Sequence, residues 1–404
     1  MSAAELGYVT EPERRLPVSG SYDVAVVGGG IAGVAAAVAA ARHGAKTCLV
    51  EKEFGLGGLA TLGNVIIYLP LCDGMGNQVI KGLGEELLKL SIVDGHAAVP
   101  ACWAGQGTVE ERAKQRYQVP FNPMSYMLAL EGFLEANGVE LLYDTRFCGV
   151  VKEGGNITAL IVENKGGRSA LACGAVVDAS GDADVCWCSG EDTVSLDSNV
   201  RCGWFYHFDG EKVKLNCFSK PFSSLCERMP ESGASFAGDR AGDVTTFVLE
   251  SRKLIAAELA KLKAENPKVE PLFMPSIPTM RMTRRLKGAV ELEESDDKRW
   301  FEDSLGMTGD WRKAGPVFYL PLRSLAGVKT GNLAAAGRCM SSGNTSWDVM
   351  RVIPTCAVTG EAAGAACAAL VREHKKSLLE LDIPHLQGAL RERGALIDRA
   401  YSSK

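Results

Sequence analysis

The residues Gly28-Gly29-Gly30-Ile31-Ala32-Gly33 constrain this chain more than any others. They follow Tyr22–Val27, an apolar run that reads as a strand buried on both faces. They open Ile31–His43, a run of small residues that reads as a helix closed at Gly44. A second strand is expected over Lys46–Glu51. Strand, turn, helix and strand together make a βαβ unit, and that setting gives the GxGxxG match its force. Gly28 permits the tight turn, Gly30 lets backbone approach a pyrophosphate, and Gly33 lets helix pack on strand. Ile31 and Ala32 stand in the first helical turn, where unpaired N–H groups face phosphate charge. Glu51 ends the second strand, where a carboxylate accepts from both ribose hydroxyls and repels a 2′-phosphate.

The residues after Glu51-Lys52 separate FAD from NAD. Gly55, Gly57 and Gly58 precede Ala60-Thr61, and residues 52–80 read as glycine-rich loop. An NAD dehydrogenase would continue with a helix; a glycine doublet here suits a longer cofactor running past its pyrophosphate, so FAD is expected. Helices are expected over Lys81–Ser91 and Pro123–Asn137. Four strands are expected over Val139–Tyr143, Phe147–Lys152, Ile157–Asn164 and Ser169–Cys173, with another over Ala175–Ala179. Residues 94–120 give no clear pattern. A helix over Thr245–Asn266 and four prolines, Pro267, Pro271, Pro275 and Pro278, mark a change of character. A buried strand returns at Asn332–Ala336 and a long small-residue helix at Thr355–His374. The expected architecture is α/β: a Rossmann-like FAD-binding domain of glutathione-reductase type, residues 1–190 and 329–404, with an inserted α+β substrate domain, residues 191–328.

The last helix carries its own argument. Pro354 suits a first turn because its missing N–H costs nothing there. Thr355, Cys356, Ala357, Thr359 and Gly360 follow, and small side chains let a flavin ring come close. The positive end of such a helix stabilises charge on a reduced ring. The plainer reading is a core helix docked on the sheet.

Composition excludes several classes. The 404 residues carry a formal charge of -5 and no basic face is evident, so nucleic acid is not an expected partner. Thirteen cysteines form no CxxC, and the five histidines are scattered, so no metal site is expected and the thiols read as reduced. Met1–Gly20 lacks the apolar core of a signal peptide, and residues 24–41 are broken by glycines, so a cytoplasmic protein without a membrane span is expected.

Four blocks bring a family into view: Asp23-Val-Ala-Val-Val-Gly-Gly-Gly-Ile-Ala-Gly33; Leu56-Gly-Gly-Leu-Ala-Thr61; Val177-Asp-Ala-Ser-Gly-Asp182; and Asn332-Leu-Ala-Ala-Ala-Gly-Arg-Cys339 with Arg351-Val-Ile-Pro-Thr-Cys-Ala-Val-Thr-Gly-Glu-Ala-Ala-Gly364. From about Val18 to Leu370 the chain resembles the bacterial FAD-dependent oxidoreductases, relatives of succinate dehydrogenase and fumarate reductase flavoproteins. The resemblance implies that Gly57, Gly58 and Thr61 line the flavin end and that Phe147 lies where main chain pairs with adenine. It implies that Ser180, Gly181 and Asp182 close the strand under pyrophosphate and ribose, and Lys52 is taken with Glu51 as a cofactor-binding residue. Gly337 and Arg338 stand where many relatives carry Gly-Asp for the ribityl chain. The arginine departs from that broader pattern and leaves the contact to backbone or another carboxylate.

Substrate-side candidates are fewer. Arg281, Arg284 and Arg285 offer a carboxylate clamp, a role arginine plays in the succinate dehydrogenase relatives; they equally suit the FAD diphosphate or the acidic stretch Glu291–Asp297. Tyr319 and Arg323 precede the returning strand, within reach of the flavin, and Arg351 precedes the flavin-facing helix, where it suits a cofactor contact at the pyrimidine side or a substrate contact. Arg281, Tyr319 and Arg351 are the catalytic candidates. Tyr68, Cys72 and Asp73 are in range; His207 reads as structural and Trp347 as packing. With neither a second GxGxxG nor a CxxC, no built-in NAD(P)H site or dithiol relay is expected. The expected activity is hydride transfer between flavin N5 and a small polar or acidic metabolite, at a CH–OH, CH–CH or CH–NH bond. A diffusible acceptor or a partner would re-oxidise the flavin. The alternative is a flavoprotein subunit, or a biosynthetic or modification protein, whose FAD serves a partner. Covalent flavin attachment and assembly as a homo-oligomer are left open.

Overall fold

The computed structural model describes residue 7 and residues 11–105, 107–217 and 235–401; the reading of Met1–Gly20 lies partly outside them. Strand β1 (Val18–Val27) runs into helix α1 (Ile31–Arg42), and β2 (Thr47–Val50) returns parallel to β1 with Val24 opposite Thr47. Every residue of α1 from Ile31 to Ala40 is buried. After Ile31 these are all alanine, glycine or valine, small enough to let the helix lie between the sheet and another helix.

Helices α2 (Leu83–Ser91) and α3 (Pro123–Ala136) precede β3 (Glu140–Leu142). Strands β4 (Arg146–Glu153), β5 (Asn156–Asn164) and β6 (Gly167–Asp178) then form an antiparallel meander. Sequence reading split β6 in two, at Ser169–Cys173 and Ala175–Ala179, but the strand runs straight through Gly174. That glycine admits a neighbour: a Cβ there would lie 2.9 Å from Val371 Cγ2 and 3.1 Å from the Asp23 carbonyl. Within the unpatterned stretch 94–120, Thr108 and Glu111 close a capping box on the short helix Val109–Lys114. The T-x-x-E spacing was there to be read.

The next stretch builds β7 (Trp204–Phe208), β8 (Val213–Cys217), the long α4 (Ala241–Glu265) and β9 (Glu270–Phe273). The three strands form one antiparallel sheet, and Cys202, Trp204, Phe236, Phe247 and Met280 make a small core of their own. The hairpin β10 (Ser304–Gly309) and β11 (Val317–Pro321) follows. Its Leu305, Met307, Phe318 and Tyr319 pack into the same core as α1.

Strand β12 (Leu333–Ala335) and helix α5 (Ile353–Arg372) complete the α/β body. The main sheet runs β3-β2-β1-β6-β5-β4, and β12 lies parallel to the end of β6, Leu333 opposite Val176. Helix α5 rests on α1 at touching distance, since a Cβ on Gly364 would lie 2.1 Å from the Ala36 carbonyl. Length and hydropathy alone would let α5 cross a membrane, but 89% of its apolar window is buried inside the fold. It is the central helix of this core. Strands β1, β2, β6 and β12 thus all end at one edge, where the cofactor turn lies.

Candidate active site

A cavity of about 630 Å3 opens along that edge. Gly28, Gly30, Ile31 and Ala32 line it with Glu51, Lys52, Gly57, Gly58, Ser180, Gly181, Asp182, Arg338 and Arg351, so thirteen of the predicted site residues meet on one wall. The glycines divide their work. Gly28 turns at φ +103°, and a Cβ there would strike the Ala179 carbonyl at 2.4 Å. A Cβ on Gly33 would lie 1.8 Å from the Gly28 carbonyl, so Gly33 packs behind the wall and lines nothing. Gly30 is different. A Cβ there would meet no protein atom within 4 Å, although the residue lines the cavity. The space in front of it is kept for something outside the chain.

Glu51 is buried, and both of its oxygens already accept backbone N–H groups: Gly29 to Oε2 at 2.6 Å and Glu53 to Oε1 at 2.8 Å. Burial raises its pKa, and those two hydrogen bonds oppose the rise. Each oxygen keeps a lone pair for a ribose hydroxyl. The glycine doublet joins the first turn directly, since Gly57 N–H donates to the Gly29 carbonyl at 2.8 Å. No side chain caps α1, so its first N–H groups stay open to an anion. The residues present fit FAD.

The chain matches the family described as FAD dependent oxidoreductase over residues 23–199 and 204–390. It belongs to that family. Its cofactor is accordingly FAD. Over 71 residues, 18% of this chain, it is 38% identical to the thioredoxin reductase of Ureaplasma parvum serovar 3, and the match spans 23% of that protein. Among solved structures it is similar to p-nitrophenol 4-monooxygenase of Pseudomonas putida, with 12% identity, 92% of this chain and 89% of that one covered, and a TM-score of 0.48. It is also similar to the Mycobacterium smegmatis Sdh1 complex in its apo form, with 12% identity, coverage of 92% and 72%, and a TM-score of 0.47.

Several residues expected at the FAD site of this family member stand back from the wall. The Thr61 hydroxyl turns inward to the Leu56 carbonyl. Phe147 packs on the meander opposite Val162, while its neighbour Arg146 reaches the cavity. Gly337 is buried, and its N–H donates to Thr359 Oγ1 at 2.9 Å. Thr355 and Ala357 point into the core, where Thr355 Oγ1 meets Thr308 Oγ1 at 2.8 Å. Helix α5 presents Ile353 and Cys356 instead. The small-residue argument picked out a helix that reaches the cavity but not the residues it presents there.

Arg338 explains the departure from Gly-Asp. Its Nη2 pairs with Asp182 Oδ1 at 2.9 Å, while Nε and Nη1 donate to the Gly181 and Met280 carbonyls. Thr283 donates to the same Asp182 oxygen at 2.7 Å. Asp182 is therefore the carboxylate on this stretch of wall. Arg284 also lines the cavity and pairs with Asp184 at 2.7 Å, while Arg285 turns away to Glu291 at 2.8 Å. The three neighbouring arginines thus do three different things. Burial, with Asp182 and Asp178 nearby, pushes the Asp184 carboxyl up to about 6.

A second chamber of about 120 Å3 shares Leu59, Ala60, Arg351 and Ile353 with the FAD cavity. Arg281 and the tryptophans Trp204 and Trp311 lie on its wall. Arg351 Nη2 pairs with Asp348, which is fully buried, while Arg351 Nε and Asp348 Oδ2 have no hydrogen-bond partner among the described residues. Burial lowers the Arg351 pKa; Asp348 opposes this, and Arg281 and Arg338 add to it. An arginine remains charged even so.

Tyr319 is a correction. It is wholly buried in β11, its hydroxyl donates to the Asp398 carbonyl at 2.8 Å, and its ring meets Trp300 edge-on at 5.0 Å. It reaches neither space. Arg323 pairs with Asp303 at 2.8 Å. Tyr68 bonds the Gly84 carbonyl at 2.7 Å, Cys72 is buried, Asp73 closes its own loop through Asn77 at 2.8 Å, and Trp347 Nε1 donates to the Arg338 carbonyl at 2.9 Å. His207 is buried beside Phe205 and lines neither space. Among the described residues no group of His, Cys, Asp and Glu is placed to hold a metal. Sequence reading missed Trp204 and Trp311, which no local motif marks, and Gly238, Asp239, Ala241 and Val244 around the start of α4, which line the FAD cavity.

Proposed function

We propose that this oxidoreductase transfers hydride between its flavin and a small, anionic metabolite held in the second chamber. One observation carries the reading: Arg351 stands on the wall common to the cofactor cavity and the chamber. FAD, when bound, supplies a two-electron acceptor or donor at flavin N5. The chain's own residues do the rest. The turn Gly28–Gly33 and the start of α1 would hold the pyrophosphate, Glu51 the adenosine ribose, and Asp182 the sugar-like chain. The first turn of α5, uncapped by any side chain, would face negative charge gained by the ring. Arg351, with Arg281 beside it, would anchor and orient the substrate's anionic group. Asp348 fixes the Arg351 guanidinium, and the apolar walls exclude water. Residues 191–328 supply Trp204, Arg281 and Trp311 to the chamber, which makes that segment the source of substrate choice.

The test begins with an absorbance spectrum before and after acid precipitation. Flavin released to the supernatant fits the non-covalent contacts proposed above. Anaerobic screening of metabolites for bleaching of the bound flavin follows. Bleaching by a small anion, lost in Arg351→Met, supports the reading. Flavin that exchanges electrons only with a partner protein would overturn it in favour of a flavoprotein subunit.

A further inference from the structure

The chamber's walls specify more of the substrate than its arginines do. This inference rests on the proposed function and narrows the class of molecule that function acts on. At about 120 Å3 the chamber is slightly smaller than the cavity of roughly 150 Å3 that accepts one benzene molecule. A substrate body there is limited to about one ring or a short branched chain. Leu59, Val65, Ile67, Trp204, Trp311 and Val352 give it apolar walls.

Charge is concentrated on one side. Arg281 lies close enough to Arg351 to weaken its hold on a proton. Arg351 keeps a buried Nε without a hydrogen-bond partner among the described residues, although Asp348 takes its Nη2. No Asp, Glu or His is among the described residues that line the chamber. Among the described residues an ammonium group on the substrate would lose its water and find no carboxylate, and a second carboxylate would be desolvated against leucine, valine or tryptophan. Among the described residues on the wall the one hydroxyl, that of Thr279, donates to the Cys202 carbonyl at 3.3 Å.

We propose that the substrate is a compact monocarboxylate with an uncharged apolar body of at most about one ring, its carboxylate on Arg351 and Arg281 and its body against Trp204 and Trp311. The described lining offers no partner for a second carboxylate or an ammonium group and no room for a long fatty chain.

The experiment is a titration of the oxidised holoenzyme, read as a change in the flavin's visible absorption band. The probes are benzoate, 3-methylbutanoate, succinate, phenylalanine, decanoate and benzamide. Benzoate and 3-methylbutanoate are expected to bind saturably, each at least tenfold more tightly than the other four. The Arg351→Met/Asp348→Asn double variant removes both buried charges together; its FAD-loaded form should lose at least thirtyfold in benzoate affinity. Trp311→Ala should admit 2-naphthoate, which the parent excludes. Succinate or benzamide binding as well as benzoate would overturn the proposal, as would the absence of any perturbation by the six. The two readings fail separately. Flavin bleached by a dicarboxylate or an amine would overturn the substrate class and leave hydride transfer standing. Flavin that answers only to a partner protein would overturn the function, whatever benzoate does.

Discussion

The cofactor cradle and the chamber beside it share Arg351 but are built from different materials. The cradle is mostly backbone. Gly28, Gly30, Gly57 and Gly181 present peptide groups, and the residue at each point is dictated by how near another chain segment or a ligand must come. The chamber is mostly side chain, gathered from residues as far apart in sequence as Leu59 and Ile353. A backbone surface tolerates few substitutions and recognises a part common to many cofactors. A side-chain surface can be rebuilt residue by residue, which suits the part that must differ between relatives. Changes to the cradle should therefore remove fold or cofactor, and changes to the chamber should alter substrate while the yellow colour stays.

The sharpest break in that comparison lies inside the cradle, between two glycines three residues apart. Gly33→Ala puts a methyl group 1.8 Å from the Gly28 carbonyl. Neither α1 nor β1 can yield, so this variant should fail to accumulate as folded protein. Gly30→Val places its side chain in open space at an ordinary backbone angle, φ -66°. Its apo form should melt within a few degrees of the parent, while FAD affinity falls by at least a thousandfold, about 4 kcal/mol. Calorimetry of the apo proteins and fluorescence titration with FAD measure the two effects. Equal losses of stability in both would mean that Gly30 serves packing and not a ligand.

A second test concerns stability away from the ligand. Glu361 lies deep in α5, where its Oε2 accepts the Leu83 N–H at 3.2 Å. Burial pushes its carboxyl up to about 8; the Leu83 bond and Arg42 oppose the rise, and Glu86 adds to it. A raised acid binds its proton more tightly folded than unfolded. Stability from this group is therefore greatest below the unfolded value of about 4.3 and falls as pH climbs to 8. At roughly 1.4 kcal/mol for each unit, the loss reaches about 5 kcal/mol at pH 8. Glu361→Gln should raise the melting temperature at pH 8 by several degrees and leave it almost unchanged near pH 4. A gain independent of pH would show that the proton is not the cause.

How far each region was legible follows from the same contrast. The turn, Glu51 and the glycine doublet all fall between Gly28 and Gly58 in sequence, so pattern alone picked out residues that the fold brings to one cavity. Thr61 was misplaced because its position along the chain was right while its hydroxyl had a nearer acceptor at Leu56. Ile353 and Cys356, three residues apart, share the face toward the cavity, and Thr355 lies around the helix from it. Ala357 is on the Ile353 side but one turn further along, where it is wholly buried. Sequence gave the helix without its phase. The chamber offered no such handle. Trp204 and Trp311 come from separate segments, and nothing local distinguishes a tryptophan that packs a core from one that walls a binding site.

The ion pair at the shared wall gives an intermediate effect. Asp348→Asn leaves Arg351 buried beside two other arginines with no carboxylate on its guanidinium. Breaking a buried pair from one side costs about 3 kcal/mol. The loosened guanidinium should also raise KM for an anionic substrate at least tenfold, with kcat changed less. FAD content should hold, since Asp348 does not line the cofactor cavity. Loss of FAD in step with KM would place Asp348 in the cradle after all.

The smallest effect tests the correction at Tyr319. Its position just ahead of the returning strand had suggested a flavin contact, yet β11 is buried on both faces, so alternation along the strand could not tell inside from cavity. Tyr319→Phe removes one hydrogen bond to the Asp398 carbonyl and keeps the ring against Trp300. Asp398 is exposed, so water can take over its carbonyl. The expected cost is then about 1 kcal/mol of stability, with the flavin spectrum and kcat/KM unchanged. A tenfold fall in kcat/KM at parental stability would return Tyr319 to the reaction. It would also mean that the wall between core and chamber opens during turnover, for the hydroxyl reaches no chamber surface in the fold as it stands.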